Sequence, residues 1–198
     1  MIKKSTFGWM ILGAACLGVL FFLVSFRSIS SQSAVNSEVG ASRQNTEASP
    51  VDFTQQTTQL VVEEDDLLAR AVRAEITRLA KNDNSLVHVN FASTPGEAAQ
   101  SPLLVVTLKE HGSIWTPVYA RTSLEFEAAY ASSGDVSFRE SEPTQFQSTG
   151  NQPVRQYEGH YHLTDRSWGV MSLPGYRDYL AHQVAVYLLT SMQEQLKP

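Results

Sequence analysis

The chain has very little cysteine: among its 198 residues, Cys16 carries the one thiol. A disulfide within the chain is therefore excluded, and so is a thiol nucleophile anywhere after residue 16. Small exported domains often depend on disulfides, so a folded domain here must depend on the burial of apolar side chains instead. The sequence also lacks an Asn-x-Ser/Thr sequon, which leaves an origin in the secretory pathway unsupported.

The sequence also lacks the short motifs that mark common active sites. It contains no G-x-S-x-G elbow, no P-loop, no G-x-G-x-x-G and no H-E-x-x-H. Glu125 and Glu127 lie side by side on one predicted strand, whereas a glycosidase needs two carboxylates across a cleft. The net charge of −5 disfavours a nucleic-acid partner. We therefore predict no enzyme, no catalytic residues and no cofactor.

One long stretch has no charged residue, and residues 7–26 within it are almost entirely apolar. About twenty apolar residues in a helix span the roughly 30 Å hydrocarbon core of a bilayer. The run predicts a transmembrane anchor over 7–27 after a cytoplasmic stub at 1–6. Lys3 and Lys4 precede it, which favours a cytoplasmic N-terminus. The prediction is a single-pass, signal-anchored protein of the bacterial inner membrane, with its C-terminal domain in the periplasm.

Two alternatives for this segment stay open. The chain could be cleaved in the Ser-rich stretch after Phe26. Alternatively, Gly13-Ala14-Ala15-Cys16 is similar to a degenerate bacterial lipobox, in which Cys16 would be lipidated.

Residues 28–60 are rich in Ser, Gln, Thr and Asn and show no period, so we predict a disordered linker there. Residues 61–198 are then the folded domain. Hydrophobic periodicity predicts its elements in this order: a helix over 63–81, strands over 86–91, 103–108, 118–130, 136–138 and 154–163, and a helix over 176–195. This order predicts an α+β domain in which two helices cover one face of an antiparallel sheet of about five strands.

The segment Gly159-His160-Tyr161-His162 places two histidines on one face of a predicted strand. That spacing occurs in metal sites, but no further ligands accompany it, so we interpret His160 and His162 as solvated side chains and predict no metal. If the protein were an enzyme, one of these histidines would be its base.

Five aromatic residues are candidates for binding. Trp168 and Tyr176 lie in a predicted loop with Gly and Pro, and they could anchor a protein partner. Tyr130, Tyr157 and Tyr161 lie on predicted strands. They could line a pocket between the sheet and the helices, as in a small-ligand sensor or carrier domain.

The element order resembles a known group of proteins. The Leu103–Leu108 strand, the Tyr157–Tyr161 segment and the terminal helix from Tyr179 are similar to the small periplasmic lipoprotein fold of transport-auxiliary and lipopolysaccharide-assembly proteins. The resemblance covers residues 65–196, although members of that group have a clear lipobox. It implies a non-enzymatic accessory or scaffolding role in an envelope complex, with other envelope proteins as partners and the bilayer bound through residues 7–26.

Overall fold

The computed structural model describes residues 13, 15–19, 21–43, 57–83, 88–91, 101–134, 136 and 155–196. Positions 13, 15–19 and 21–23 are helical. The elements that follow are β1 (Arg27–Arg43), β2 (Thr57–Val62), α1 (Leu67–Asp83), β3 (His88–Phe91), β4 (Leu103–Trp115), β5 (Tyr119–Ala131), β6 (Arg155–Met171) and α2 (Leu173–Leu196).

The strands form one mixed sheet of six strands, in the order β1-β6-β5-β4-β2-β3. The pairs β1–β6, β6–β5 and β5–β4 are antiparallel, whereas β2 is parallel to both β4 and β3. The predicted five-stranded antiparallel sheet is therefore wrong. The β2–β3 pair is parallel because β2, α1 and β3 form a strand–helix–strand unit, in which the crossover helix returns the chain to the same end of the sheet.

Both helices contribute to one core on the same side of the sheet, which we call the inner face. The predicted alternation in β5 is confirmed, because its even-numbered residues from Ala120 to Tyr130 are buried. In β6, the odd-numbered residues from Tyr157 to Ser167 are buried in the same way. The core includes these side chains from both layers: Leu60, Val72, Ile76, Leu104, Phe126, Leu163, Val184 and Leu188.

β6 is longer than the sequence pattern predicted, and α2 begins earlier. Trp168 and Gly169, expected in a loop, lie within β6, and the helix starts at Leu173 rather than at Tyr176. The start is fixed by Ser172, whose Oγ accepts a hydrogen bond from the Gly175 backbone N–H at 3.0 Å, as an N-cap does. The short strand predicted over 136–138 is not observed at Val136, and residues 137–138 lie outside the described residues.

The predicted disordered linker over 28–60 is wrong where the structure describes it. Residues 27–43 form β1, which pairs along its whole length with β6. β1 is an edge strand, and among its side chains that the structure describes, over residues 27–38, Ile29 and Val35 pack against the core. The ladder of backbone hydrogen bonds, together with bonds from its serines, stabilises a segment that has few apolar side chains. Residues 57–60 belong to β2, and residues 44–56 lie outside the described part of the chain.

The predicted membrane anchor over 7–27 is also wrong. Within the described residues, no helix is long and apolar enough to cross a membrane. The helical residues end at Leu23, and β1 begins at Arg27. The end of the apolar run contacts the domain, since the Phe22 ring lies 5.4 Å from the Trp115 ring. The assignment as a single-pass, signal-anchored protein of the inner membrane depended on that helix, so it is wrong as well.

The chain just before β1 is held against the start of α2. The Phe26 backbone N–H donates to Ser172 Oγ at 2.9 Å, and the Phe26 carbonyl accepts from the Ser172 backbone N–H at 3.0 Å. The approach is so close that a Cβ on Gly175 would lie 2.3 Å from the Phe26 carbonyl oxygen. Gly169 has φ of 123°, and a Cβ there would lie 2.4 Å from the Ser28 carbonyl oxygen. Only glycine fits either position without a shift of backbone.

A carboxylate joins the two helices. Glu75 of α1 accepts hydrogen bonds at 2.6 Å from Arg78 Nη2 and at 2.6 Å from His182 Nδ1 of α2. The bonds from Arg78 lower the pKa of Glu75 to about 2, with His182 adding to the effect against the opposing influence of burial. Glu75 is therefore charged at neutral pH, and it connects α1 to α2.

Candidate functional site

The two faces of the sheet differ in what covers them. On the outer face, opposite the helices, Val61, Leu103 and Val105 of β2 and β4 form a small buried cluster against which Val136 packs. The rest of the outer face, over β1, β6 and β5, is largely exposed. We call the surface formed by the outward side chains of Ser30–Glu38, Tyr119–Glu127 and His160–Trp168 the open face.

The strand registers arrange the open face in rows across the sheet. Trp168 of β6 lies between Ser30 of β1 and Tyr119 of β5, and Arg166 lies between Gln32 and Arg121. The next rows, each given in the order β1, β6, β5, are Ala34-Thr164-Ser123, Asn36-His162-Glu125 and Glu38-His160-Glu127. The face therefore runs from an aromatic end, through two arginines and a row of small side chains, to an acidic end.

The two predicted histidines lie at the acidic end, each beside a glutamate. His160 Nδ1 is 3.5 Å from Glu127 Oε1, and its Nε2 is 3.5 Å from Glu158 Oε1. His162 Nδ1 is 3.5 Å from Glu125 Oε1. A groove of about 370 Å³ passes over this end, lined by residues of β1, β5 and β6 that include both histidines.

The acidic end does not form a metal centre in the structure. Among the described residues, no group of three or more His, Cys, Asp or Glu side chains has the geometry to hold a metal ion. Lys109 Nζ also binds Glu127 Oε1 at 2.7 Å, so that a cation of the chain itself already contacts this carboxylate. His160 is exposed and His162 is half-buried, so both lie on a face of the sheet that solvent reaches.

The aromatic end exposes several large apolar side chains. Trp168 is 59% exposed and packs on Tyr119, with ring centroids 4.4 Å apart. Val170, two residues after Trp168 and on the same side of β6, is 48% exposed. Ile114, which is 59% exposed, lies opposite Arg121 in the register of β4 and β5. Exposed apolar side chains grouped in this way are typical of a surface that binds a partner.

Tyr176 does not share this surface. It is 2% exposed and lies on the inner face, so the structure does not bring it together with Trp168. Tyr130, Tyr157 and Tyr161 also lie on the inner face, where they are buried in the core. The hydroxyls of Tyr157 and Tyr161 contact each other, and Phe126 stacks on Tyr161 with centroids 4.5 Å apart. A Cβ on Gly159 would collide with both tyrosines, so the glycine makes room for them.

Sequence reasoning missed a buried carboxylate, Asp165 of β6, which is 1% exposed. Its oxygens accept hydrogen bonds from Ser33, Ser167 and Tyr176 at 2.7, 2.8 and 2.8 Å, and Tyr179 lies at 3.3 Å. Hydroxyl groups of the protein thus take the place of water around this buried carboxyl group. The network joins β1, β6 and α2.

The same network affects the pKa of Tyr176, which lies beside Asp165. Burial raises the pKa of Tyr176, and the negative charge of Asp165 adds to the rise, although the contact with Thr122 opposes it. Tyr176 Oη lies 3.0 Å from Thr122 Oγ1. The Arg27 guanidinium stacks over the Tyr179 ring at 4.2 Å and closes the network at its edge. The inward position of Asp165 could have been read by extending the alternation of β6 two residues past Leu163.

Comparison with known proteins gives only remote likenesses. No family model matches the chain, and no curated protein matches it. Among solved structures it is similar to the PelC dodecamer from Paraburkholderia phytofirmans in two crystal forms. Each is 10% identical and covers 84% of this chain and 98% of the neighbour, with TM-scores of 0.38 and 0.36.

Another similar structure is rare lipoprotein B from Shewanella oneidensis, which is 18% identical. The match covers 69% of this chain and 94% of the neighbour, with a TM-score of 0.31. The predicted likeness to small lipoproteins is confirmed in this coarse form alone.

Proposed function

We propose that this protein is a non-enzymatic accessory protein of a bacterial envelope complex, and that it acts by binding protein through the open face. The observation that carries the proposal is the grouping of Trp168 and Tyr119 with exposed aliphatic side chains beside Arg121 and Arg166. Trp, Tyr and Arg are the residues that most often dominate the binding energy of protein interfaces. The envelope setting is an expectation from the resemblance in element order.

The two faces of the sheet differ in burial, and this difference supports the proposal. The inner face packs under α1 and α2, and the Asp165 network binds several of its hydroxyl groups, those of Ser33, Ser167 and Tyr176 among them. The open face, by contrast, presents side chains that contribute little to the core. A hydrogen-bonded sheet fixes the spacing of the aromatic and arginine side chains on its surface before a partner arrives, which lowers the entropic cost of binding.

Site-specific photo-crosslinking tests the proposal. A photoreactive phenylalanine analogue would replace Trp168 on the open face and, as the control, the exposed Thr190 on α2. Cells of the source organism are irradiated, and crosslinked products are identified by mass. We expect discrete protein adducts from position 168 and none from position 190. Equal yields from the two positions, or none from position 168, would contradict the proposal.

Once an adduct is identified, alanine substitution measures how much Trp168 contributes to the binding free energy. Trp168→Ala should weaken binding of the purified partner roughly 30-fold, as for an interface residue worth about 2 kcal/mol. Val186→Ala, an exposed apolar residue on α2, is the matched control and should change affinity less than about twofold.

A further inference from the structure

The charges of the open face are separated along the strands. Arg121 and Arg166 lie directly opposite each other on β5 and β6, and like charges in that position repel. Within the part of the chain that the structure describes, neither guanidinium forms an ion pair with a carboxylate. The neighbours of this row are neutral, since Gln32 lies beside Arg166 and Ile114 beside Arg121. The row therefore presents an uncompensated positive charge to whatever covers it.

The acidic end presents the opposite charge. Glu125, Glu127 and Glu38 lie in the two rows beyond the small residues. Lys109 binds Glu127 there, and His162 lies 3.5 Å from Glu125. The positive row and the first acidic row are each two residues along the strand from the Ser123–Thr164 row, at a distance of about 7 Å. The open face is thus a dipolar surface with a row of small, uncharged side chains at its centre.

We infer that a second copy of this chain covers the open face, packed face to face with its strands antiparallel to those of the first. This inference rests on the proposed function and names the partner. The two-fold axis runs across the strands, above the Ser123–Thr164 row. It places Arg121 of one copy opposite Glu125 of the other, twice per dimer, and Trp168 opposite His160. The alternative axis, along the strands, would bring four arginines together and is disfavoured by their repulsion.

The central row also fits this arrangement sterically. Ala34, Thr164 and Ser123 are small, and Gly112 of β4 continues the row. Small side chains allow two sheets to approach to the roughly 10 Å spacing of packed sheets. Eight residues along each strand and four strands across give a flat footprint of roughly 400 Å². Interfaces of modest size are typical of weak, reversible association, so we expect a dissociation constant on the order of 10 µM.

Charge reversal on the full chain tests the inference by sedimentation velocity across a concentration series. The wild type should show a concentration-dependent monomer–dimer equilibrium. Arg121→Glu and Glu125→Arg should each raise the dissociation constant at least about tenfold, because each brings like charges together. The double variant Arg121→Glu/Glu125→Arg restores both pairs and should return to within about threefold of the wild type. Lys81→Glu and Glu194→Arg, on exposed helix positions, are controls with the same charge changes and should have no effect.

Each outcome decides the inference. A wild-type chain that stays monomeric at several hundred micromolar would overturn it, and so would a dimer that the double variant fails to restore. Self-association through the exposed apolar residues Leu17 and Leu23 would persist unchanged in all charge variants and would likewise refute it. If the chain is monomeric while position 168 still crosslinks to a different protein, the self-association fails and the proposed function stands. If position 168 gives no adduct, the proposed function itself fails.

Discussion

Replacing Asp165 by alanine is the perturbation with the largest expected effect on stability. Asp165 is 1% exposed and accepts hydrogen bonds from hydroxyls on β1, β6 and α2. Alanine would leave the fully buried hydroxyls of Ser167 and Tyr176 without this acceptor. Each unsatisfied buried group costs about 1–3 kcal/mol. Tyr176 can still bond to Thr122, which recovers part of that loss. We therefore expect a loss of about 3 kcal/mol.

Urea unfolding followed by circular dichroism measures this loss. With a slope near 2 kcal/mol per molar urea for a domain of this size, the midpoint should fall by about 1.5 M at constant slope. Glu158→Ala is the matched control, because it removes a carboxylate from the same strand on the outer face, and it should change stability by less than about 0.5 kcal/mol. A change below 1 kcal/mol in Asp165→Ala would refute the view that the network holds the edge strand β1 to the sheet.

Three further predictions concern pH and backbone packing. The pKa of Glu75 in the folded chain, about 2, lies below its ordinary value of 4.5, so its contribution is present above about pH 4.5 and is lost as the pH falls towards 2. Glu75→Gln should therefore cost on the order of 1 kcal/mol in urea unfolding at pH 7 and nothing near pH 2. The pKa of Tyr176 is raised in the folded chain, so folding is disfavoured once the pH rises above about 10, where the unfolded chain loses the tyrosine proton more readily. Tyr176→Phe should reduce that loss of stability by about 1.4 kcal/mol per pH unit. Urea midpoints measured at several pH values between about 9 and 11 check this. Gly175→Ala should lower stability by about 2 kcal/mol in urea unfolding, because its Cβ would meet backbone at 2.3 Å. Gly112→Ala, which has open space, should lie within about 0.5 kcal/mol of the wild type in the same assay.

The parts of the fold that could be predicted are those with strong local periodicity. The apolar stripe of α1 and the alternation of β5 are visible within a single window of sequence, and both are confirmed. β2 also carried a signal, since Thr58, Leu60 and Val62 alternate towards the core, although its assignment to a linker hid it. The polar composition of residues 28–60 therefore placed the start of the predicted domain too late.

β1 could not be found in this way. Its serines give no hydrophobic period, and its partner strand begins more than a hundred residues later in the chain. Ser31 and Ser33 face inward because Tyr179 and Asp165 bind their hydroxyls, a reason that lies in distant residues. The candidate site, too, depends in part on residues that are distant in sequence. The alternation predicted the outward position of His160 and His162, but the register that aligns Arg121 with Arg166 required the assembled sheet.

Dipolar spectroscopy on spin labels tests most directly whether a second copy covers the open face. A nitroxide attached at Thr164→Cys, in a Cys16→Ser background, lies beside the proposed two-fold axis. Because facing sheets pack about 10 Å apart, the two labels of a dimer should be separated by less than about 25 Å. Labels at Thr190→Cys lie beyond the helix layer of each copy and should be more than about 35 Å apart. A short distance at position 190, or no dipolar coupling at position 164 at concentrations where the chain sediments as a dimer, would contradict the account.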